Sequence, residues 1–354
     1  MARVKTAMMK AALSGLYHSR AHRLLAPLTQ GAGVIFTLHR VRPEPAEQGA
    51  FAPNRILEVT PEFLDAVLDQ VQAAGLDVVS VDEVVRRLRA KDAENRFACF
   101  TFDDGYRDNL EYAYPLFKRR ALPMTIYVPT NYPSGNGELW WLALEEIVDR
   151  AQEGIELCRD GTLWRLPTAT VAEKCRSFEQ IYWWLRAVDE VTQRQVVRAL
   201  AERFDVDMAA ECRKLIMSWD EIRTMAADPI VTIGAHTKSH FALAKLSRDQ
   251  ARDETSGSAD KIEQELGARP VHFAYPYGDA LSAGKRDFAL ARECGFETAV
   301  TTQKGMLFPG HRAHLTALPR VSLNGDYQSL AFTEVFLSGA PFALRNGFRP
   351  VNAA

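Results

Sequence analysis

The sequence predicts an α/β fold, a deformed (β/α) barrel of about seven strands that carries a helical insertion. Apolar, strand-like segments alternate with helix-like segments over most of the chain, as in proteins with parallel sheets. Polar residues follow several of these strands directly, and the alternation stops between residues 137 and 215. We therefore expect a barrel over residues 31–330 with the insertion at 137–215, an amphipathic helix over 1–30 and a C-terminal tail over 331–354.

The individual elements follow from local signals. The helix over residues 60–75 has Thr60 as N-cap, Pro61 in its first turn and Gly75 at its end. The other expected elements are a short strand and a helix within 77–90, a helix over about 108–120, and strands at 33–41, 97–102, 124–130, 230–236, 271–278, 297–302 and 318–323.

The predicted insertion is helical and rich in tryptophan. It contains the helix-like segments "ELWWLALEEIVDRA", "FEQIYWWLRAV" and "QRQVVRALAERF". Five of the six tryptophans of the chain lie in it, namely Trp140, Trp141, Trp164, Trp183 and Trp184. We expect these rings to pack between helices, with a sugar-stacking or lipid-facing surface as the alternative.

The composition excludes several classes of protein. Hydrophobic residues make up 47% of the chain, charged residues 25%, and the formal net charge is −2. These values are ordinary for a soluble globular enzyme and argue against a nucleic-acid-binding protein. The five cysteines have no CxxC spacing and an odd number, which favours a reducing, cytoplasmic compartment. We find no signal-peptide-like segment and no run of about 20 apolar residues that would span a bilayer.

The N-terminal segment is basic and has apolar residues at helical spacing. Seven basic residues precede the first acidic one, Glu44, and they are Arg3, Lys5, Lys10, Arg20, Arg23, Arg40 and Arg42. Apolar residues at helical spacing form one face, although Gly15 and Pro27 weaken its continuity, and they are Met9, Ala12, Leu13, Leu16, Leu24, Leu25 and Leu28. Such a helix could pack on the barrel, serve as a transit peptide or lie on an anionic membrane at its inner face.

Two polar clusters at strand ends carry candidate chemistry. Asp103 and Asp104 follow the strand "FACFTF", and adjacent carboxylates there need a compensating cation or proton. His236 and His240 in "GAHTKSH" are four residues apart and would share a face if the chain turned helical there. Two imidazoles and one carboxylate leave open positions on a divalent ion. The second aspartate then stays free to take a proton from water.

A third strand end is the segment "FAYPYG", in which Pro276 and Gly278 flank Tyr277. This arrangement predicts a rigid turn whose backbone N–H faces the reaction centre. Such a donor stabilises the oxyanion formed in acyl transfer. A plain turn after a strand is the alternative interpretation.

The motifs "TFDDGY", "HTKSH" and "FAYPYG" together resemble those of the polysaccharide deacetylases, carbohydrate esterase family 4. The resemblance covers residues 33–325, with the insertion outside the common core. It implies a deformed (β/α) barrel and metal-dependent removal of an N-acetyl group from an amino sugar. The ion it implies is Zn²⁺, with Co²⁺, Mn²⁺ or Ni²⁺ as alternatives. By position it assigns Asp103 as general base, Asp104, His236 and His240 as metal ligands, Tyr277 as oxyanion donor, and Tyr275 and Pro276 to the sugar site.

Two positions depart from the family pattern. Most members have an arginine where this chain has Ala274, and Arg320 in "LPRV" is our candidate for a replacement that reaches Asp103. The usual late Leu-x-His motif of the general acid is also missing. His39 in "FTLHRV" resembles the first-strand histidine that acts as the acid in biofilm poly-N-acetylglucosamine deacetylases, and His314 is its rival.

The sequence therefore predicts a cytoplasmic, metal-dependent N-deacetylase. Its expected partner is an N-acetylated polysaccharide, oligosaccharide or lipid-linked glycan precursor, with peripheral contact to an anionic membrane and none to nucleic acid. One alternative is a related barrel hydrolase that cleaves a C–N bond in a small amide. The other is a non-catalytic glycan-binding barrel, although such a module would not need the free base Asp103.

Overall fold

The computed structural model describes residues 2–45, 50–90, 95–159 and 161–352, and the side chains of residues 2–5 lie outside this description. Arg3 and Lys5, counted above in the basic segment, therefore have no described side chains. The described strands are β1 (Gly33–Leu38), β2 (Arg40–Val41), β3 (Glu58–Val59), β4 (Asp77–Val78), β5 (Phe97–Phe102), β6 (Met124–Val128), β7 (Ile155–Arg159), β8 (Thr162–Leu166), β9 (Val231–Ala235), β10 (His272–Ala274), β11 (Thr298–Val300) and β12 (Val321–Ser322).

Helices surround these strands, and their N-termini follow ordinary capping rules. Thr60, for example, accepts a hydrogen bond from the Phe63 N–H, as its N-cap position predicts. The α-helices are α1 (Ala2–His18), α2 (Ala21–Thr29), α3 (Pro61–Ala73), α4 (Val81–Arg89), α5 (Tyr114–Arg119), α6 (Trp140–Arg150), α7 (Val171–Leu185), α8 (Glu190–Arg203), α9 (Met208–Leu215), α10 (Trp219–Ala226), α11 (Arg248–Leu266), α12 (Lys285–Glu293), α13 (Leu330–Leu337) and α14 (Ala340–Arg345).

The main sheet is parallel throughout and has the order β11-β10-β9-β6-β5-β1-β12, with β4 beside β5. A single parallel bridge between Val300 and Leu318 brings β11 next to the segment that leads into β12. The ring of strands is thereby nearly closed, which is the predicted deformed (β/α) barrel. Strands β1 and β5 are buried along their whole length, as expected where helices cover one face and the barrel interior the other.

The insertion is less purely helical than the sequence suggested. It contains helices α6 to α9, but β7 and β8 form an antiparallel hairpin that was not predicted. The insertion has its own apolar core, in which Trp140 and Trp141 are buried. The expected packing of tryptophans between helices therefore holds for these two rings, whereas Trp183 is 58% exposed.

Both ends of the described chain pack on the barrel. Leu13 on α1 is buried, and α1 lies against α13. His22 on α2 contacts Glu334 on α13 at 3.2 Å. The predicted C-terminal tail is thus helical and covers the N-terminal helices. None of the helices in the described ranges combines the length and apolar character that a membrane span requires.

Candidate active site

The carboxyl ends of four barrel strands meet at a cavity of about 1450 Å³. Parallel barrels build their sites at this edge because the loops after the strands converge there. Six of the side chains predicted from the sequence line the cavity, namely His39, Asp103, Asp104, His236, His240 and Tyr277. They arrive from the ends of β1, β5, β9 and β10.

The two adjacent aspartates take different directions because of the backbone between them. Asp103 continues the alternating row of Cys99 and Thr101, which points into the barrel. Asp104 and Gly105 then adopt left-handed φ values of 75° and 70°. Aspartate tolerates this conformation better than most residues, and glycine adopts it without strain. One carboxylate therefore faces the barrel interior while its neighbour faces the histidines.

Asp104, His236 and His240 form a buried cluster with the composition of a metal site. The Oδ1 atom of Asp104 lies 3.3 Å from His240 Nε2 and 3.6 Å from His236 Nε2. One ligand atom from each of the three residues lies within 4.8 Å of the others. Within the described part of the chain, Asp104 Oδ1 is buried without a hydrogen-bond partner. An unpartnered buried carboxylate oxygen facing two imidazoles fits a cation between them.

The protonation states of this cluster also suit a cation. His236 Nδ1 donates to the Ala274 carbonyl at 2.7 Å, which leaves Nε2 with its lone pair facing Asp104. Burial lowers the pKa of His236 to about 4, so the imidazole is neutral at physiological pH. Burial would raise the pKa of Asp104, but the nearby His240 holds it below its ordinary value. The donor set therefore includes the neutral imidazole of His236 and the carboxylate of Asp104.

The two histidines do not share a helical face, in contrast to one interpretation of their spacing. Thr237 and His240 both have left-handed φ values, of 62° and 58°, so the segment is a tight loop. Glu254 on α11 holds this loop, because its Oε2 accepts the N–H groups of Lys238 at 2.9 Å and Ser239 at 2.8 Å. Glu254 is a positioning residue that the sequence analysis missed, and no local sequence signal connects it with the loop.

Asp103 is paired with Arg320, and both side chains are buried. Arg320 donates from Nη1 to Asp103 Oδ1 at 2.8 Å and from Nη2 to Oδ2 at 2.7 Å. Its Nε donates to the Thr301 carbonyl at 2.9 Å, which fixes the plane of the guanidinium. Burial favours the neutral acid, but Arg320 outweighs this effect and holds the pKa of Asp103 well below its ordinary value. The structure thus places Arg320 on the carboxylate that the sequence analysis assigned to it.

The two candidate acids lie in different places. His39 follows Leu38, which pairs with Phe102 in register, so His39 comes next to Asp103 at the strand ends. Its side chain lines the cavity. His314 is exposed and lies in the segment after Leu307, which bridges to Gly33 at the opposite, amino end of β1. Of the two, only His39 is in the cavity.

Tyr277 is held from several sides. Its backbone is left-handed, with φ at 61°, and its carbonyl accepts a hydrogen bond from Thr302 Oγ1 at 2.6 Å. Trp140 donates from Nε1 to the phenol oxygen at 2.8 Å, and the Arg186 guanidinium lies 3.7 Å from the ring centroid. The Tyr277 N–H makes no hydrogen bond to another described residue. It is therefore available to a ligand.

The two residues before Tyr277 have different surroundings from those expected. The Tyr275 hydroxyl donates to the Thr316 carbonyl at 2.8 Å, and its ring packs against Phe273 and Phe288. Tyr275 therefore points into the core and does not line the cavity, in contrast to the expected role at the sugar site. Pro276 is also buried, and its carbonyl accepts the Gly278 N–H at 2.7 Å, which tightens the turn that presents Tyr277.

The insertion forms part of the site, although the sequence analysis placed it outside the common core. The Trp141 ring lies 5.0 Å from the His240 ring and donates from Nε1 to the Tyr106 hydroxyl at 3.2 Å. Tyr182 and the exposed Trp183 on α7 line the outer part of the cavity. The aromatic pattern alone did not show which of these rings would face the barrel.

Two sequence comparisons bear on the family of the chain. A family model described as polysaccharide deacetylase matches residues 90–201 and 207–299, which is more than half of the 354 residues. A comparison with curated proteins finds no significant match.

Similar solved structures have the same fold at low sequence identity. The Streptococcus pyogenes deacetylase PplD in complex with acetate is 17% identical, with a TM-score of 0.53, over 82% of this chain and 92% of that one. IcaB from Ammonifex degensii is 18% identical, with a TM-score of 0.52, over 87% and 97% of the two chains. A de-N-acetylase from Aggregatibacter actinomycetemcomitans is 14% identical, with a TM-score of 0.53, over 86% and 99%.

Proposed function

Because the chain belongs to the polysaccharide deacetylase family, and is thereby an enzyme that deacetylates carbohydrate, we propose that it is a metal-dependent N-deacetylase of N-acetylated amino sugars. The observation that carries the proposal is that two neighbouring carboxylates face different partners. Asp104 faces two histidines, whereas Asp103 is fixed by Arg320 beside them. A hydrolase that uses both an ion and a separate base needs this arrangement.

Asp104, His236 and His240 are the residues that would hold the ion. Two imidazoles and a carboxylate suit Zn²⁺ best among common divalent ions, and Co²⁺, Mn²⁺ and Ni²⁺ accept the same donors. A bound ion would supply Lewis-acid polarisation of the acetyl carbonyl and would make water more acidic. The buried, unpartnered Asp104 Oδ1 supports this assignment.

The remaining residues act on protons and on the acyl oxygen. Asp103 stays ionised and takes the proton of the attacking water. The Tyr277 N–H donates a hydrogen bond to the acetyl oxygen as negative charge develops on it. His39 gives a proton to the departing amine nitrogen, so that the C–N bond breaks and a neutral amine leaves. Trp141, packed on His240, excludes bulk water from one side.

The size of the cavity favours a glycan over a small amide. Pockets for small ligands usually measure about 300 to 1,000 Å³. The cavity here is larger, at about 1450 Å³, and extends past Tyr182 to the exposed Trp183. An aromatic ring at the outer end of a long cavity suits stacking on a second or third sugar unit.

We further propose that the substrate is a lipid-linked glycan precursor at the inner face of a membrane. All five cysteines are free, which supports a reducing, cytoplasmic compartment. A cytoplasmic enzyme would meet a glycan before export, while it is still attached to its lipid carrier. Thr6, Ala7 and Lys10 on the N-terminal helix line the cavity, so that a basic helix lies beside the substrate path.

Released acetate, measured with a panel of N-acetylated oligosaccharides, tests the proposed function. We expect release that is lost with a chelator and restored by added Zn²⁺. His236→Ala should lose both bound metal and acetate release, whereas the exposed His314→Ala should keep both. Full activity in the chelated enzyme, or stoichiometric zinc in the His236→Ala protein, would contradict the proposal. Release from small amides but from no glycan would favour the alternative hydrolase.

A further inference from the structure

Helix α2 and the C-terminal segment expose large apolar side chains outside the active site. Leu24 is 81% exposed and Leu28 is 77% exposed, and the two are four residues apart on one stripe of α2. Leu344 on α14 is 50% exposed and Phe348, which follows it, is 55% exposed. We call the surface made by these four residues the α2–α14 face. Single exposed apolar side chains are common, but four on two adjoining segments, three leucines and one phenylalanine, indicate a contact surface.

The two halves of this face belong to one rigid unit. Leu28 and Phe348 line the same small depression, of about 30 Å³. Thr29 Oγ1 donates to the Ser338 carbonyl at 2.6 Å just before α14. Gly339 has a left-handed φ of 72°, and a Cβ atom there would lie 1.9 Å from the Thr29 carbonyl oxygen. The close approach of α2 to α14 therefore requires glycine at position 339.

Basic residues predominate around the α2–α14 face, where Glu334 on α13 is already paired with His22 and Arg23. The sequence has no acidic residue between positions 2 and 43 or between 335 and 352. Arg20, Arg345 and Arg349 are exposed and form no ion pair with any described carboxylate. Besides burial, the charge of Arg345 lowers the pKa of Lys304, so these cations lie close together without neutralisation. A surface with apolar side chains and uncompensated cations is complementary to an anionic lipid bilayer.

We propose that the protein docks on an anionic membrane through the α2–α14 face. The sequence predicted membrane contact by the whole basic segment over residues 1–30, whereas the proposal assigns it to α2 and α14. Helix α1 is held against the barrel by Leu13, and two of the five tryptophans of the insertion are buried. Docking places the substrate path near the lipid surface, since α2 adjoins α1, and α1 lines the cavity with Lys10. This consequence rests on the proposed function, whereas the docking itself does not.

Vesicle co-sedimentation tests the docking surface with the full chain. We expect binding to vesicles of phosphatidylglycerol and phosphatidylcholine that weakens with added salt, and little binding to phosphatidylcholine alone. The double variant Leu24→Asp, Leu28→Asp should lose this binding. Arg345→Glu with Arg349→Glu should lower the vesicle partition coefficient by on the order of tenfold or more. Leu281→Asp is the matched control, because Leu281 is 84% exposed but lies outside the face.

The outcomes separate docking from catalysis. Acetate release from a soluble oligosaccharide should be the same for the wild type and both double variants, because these side chains lie outside the cavity. Vesicle binding without any acetate release would uphold docking and reject the proposed function. Equal binding of the wild type and the Leu24→Asp, Leu28→Asp protein would overturn the proposal. The proposal would also be overturned if the wild type did not bind anionic vesicles but formed a dimer that the leucine substitutions dissociate. That result would show that the face serves self-association.

Discussion

Replacing Arg320 with methionine removes the cation that faces Asp103 and should change both stability and catalysis. The pair is buried and bidentate, with distances of 2.7 and 2.8 Å. Breaking a buried ion pair from one side typically destabilises a protein by about 3 to 5 kcal/mol, because the remaining charge is left unpaired. At about 1.4 kcal/mol per pKa unit, the same energy corresponds to a rise of about two to four units in the pKa of Asp103.

The direction of the pKa shift determines the pH range in which the Asp103–Arg320 pair stabilises the fold. The pKa of Asp103 is depressed in the folded protein, so the pair stabilises the fold above the ordinary pKa of aspartate and ceases to do so as the pH falls. The difference in melting temperature between wild type and Arg320→Met should therefore be largest near neutral pH and shrink in acid. The pH at which the rate of acetate release falls on the acid side of the pH–rate profile should be higher in Arg320→Met by about two units or more.

The assay combines thermal unfolding, zinc content and acetate release as a function of pH. Arg40→Met is the matched control, because Arg40 donates to the buried Asp108 at 2.8 Å, and Asp108 does not line the cavity. It should destabilise the protein without moving the pH–rate profile. A folded, zinc-loaded Arg320→Met enzyme with an unchanged acid limb would refute the pairing argument.

Three further predictions concern single residues. His39→Ala should lower kcat by on the order of 100-fold with no loss of bound metal, while His314→Ala should have no effect; comparable losses in both would reject the assignment of the acid. Asp103→Asn should keep the metal and lose acetate release, whereas Asp104→Asn should lose the metal; equal metal content in the two variants would contradict this division. Burial raises the pKa of Glu145 to about 7. Ionisation of this carboxyl group therefore lowers the stability of the fold as the pH rises through that value. Glu145→Gln should be more stable than the wild type at pH 8 but not at pH 4. A stability difference independent of pH in thermal unfolding would show that the carboxyl group is not the cause.

Local sequence signals predicted much of the fold. Strand β5 has the bounds expected from its apolar run, because six apolar or small residues end at two carboxylates. Thr60 is the N-cap of α3 and Pro61 lies in its first turn, as the sequence predicted. The antiparallel hairpin of β7 and β8 was missed, although the Asp-Gly pair at residues 160–161 is a recognised hairpin signal and was available. The segments on either side of the hairpin have helical spacing, which predicted an insertion made only of helices.

The parts of the site that could not be predicted depend on contacts between distant segments. The loop of His236 and His240 is not helical, and its shape is held by Glu254 from a helix later in the chain. The sequence predicted Trp140 and Trp141 as ordinary core residues, and both are buried. In addition, Trp140 contacts Tyr277 and Trp141 contacts His240. Periodicity reports which side of a helix is buried, but it carries no information about what lies against that side.

We expected Arg320 to take the place of the arginine that most family members have at the position of Ala274. The closure of the barrel gives a physical reason why either position can supply this side chain. Ala274 on β10 and Arg320 before β12 are separated in the ring by β11, which bridges to Leu318. Both positions are fully buried at the strand ends, so a long side chain from either segment enters the same interior space. Asp103 requires a guanidinium in that space to remain ionised while buried, but it does not require a particular strand to supply it. The small Ala274 leaves room there, and its carbonyl orients His236. On the expectation that Arg320 replaces the arginine of the family motif, the position of that arginine changes while its contact with Asp103 is kept.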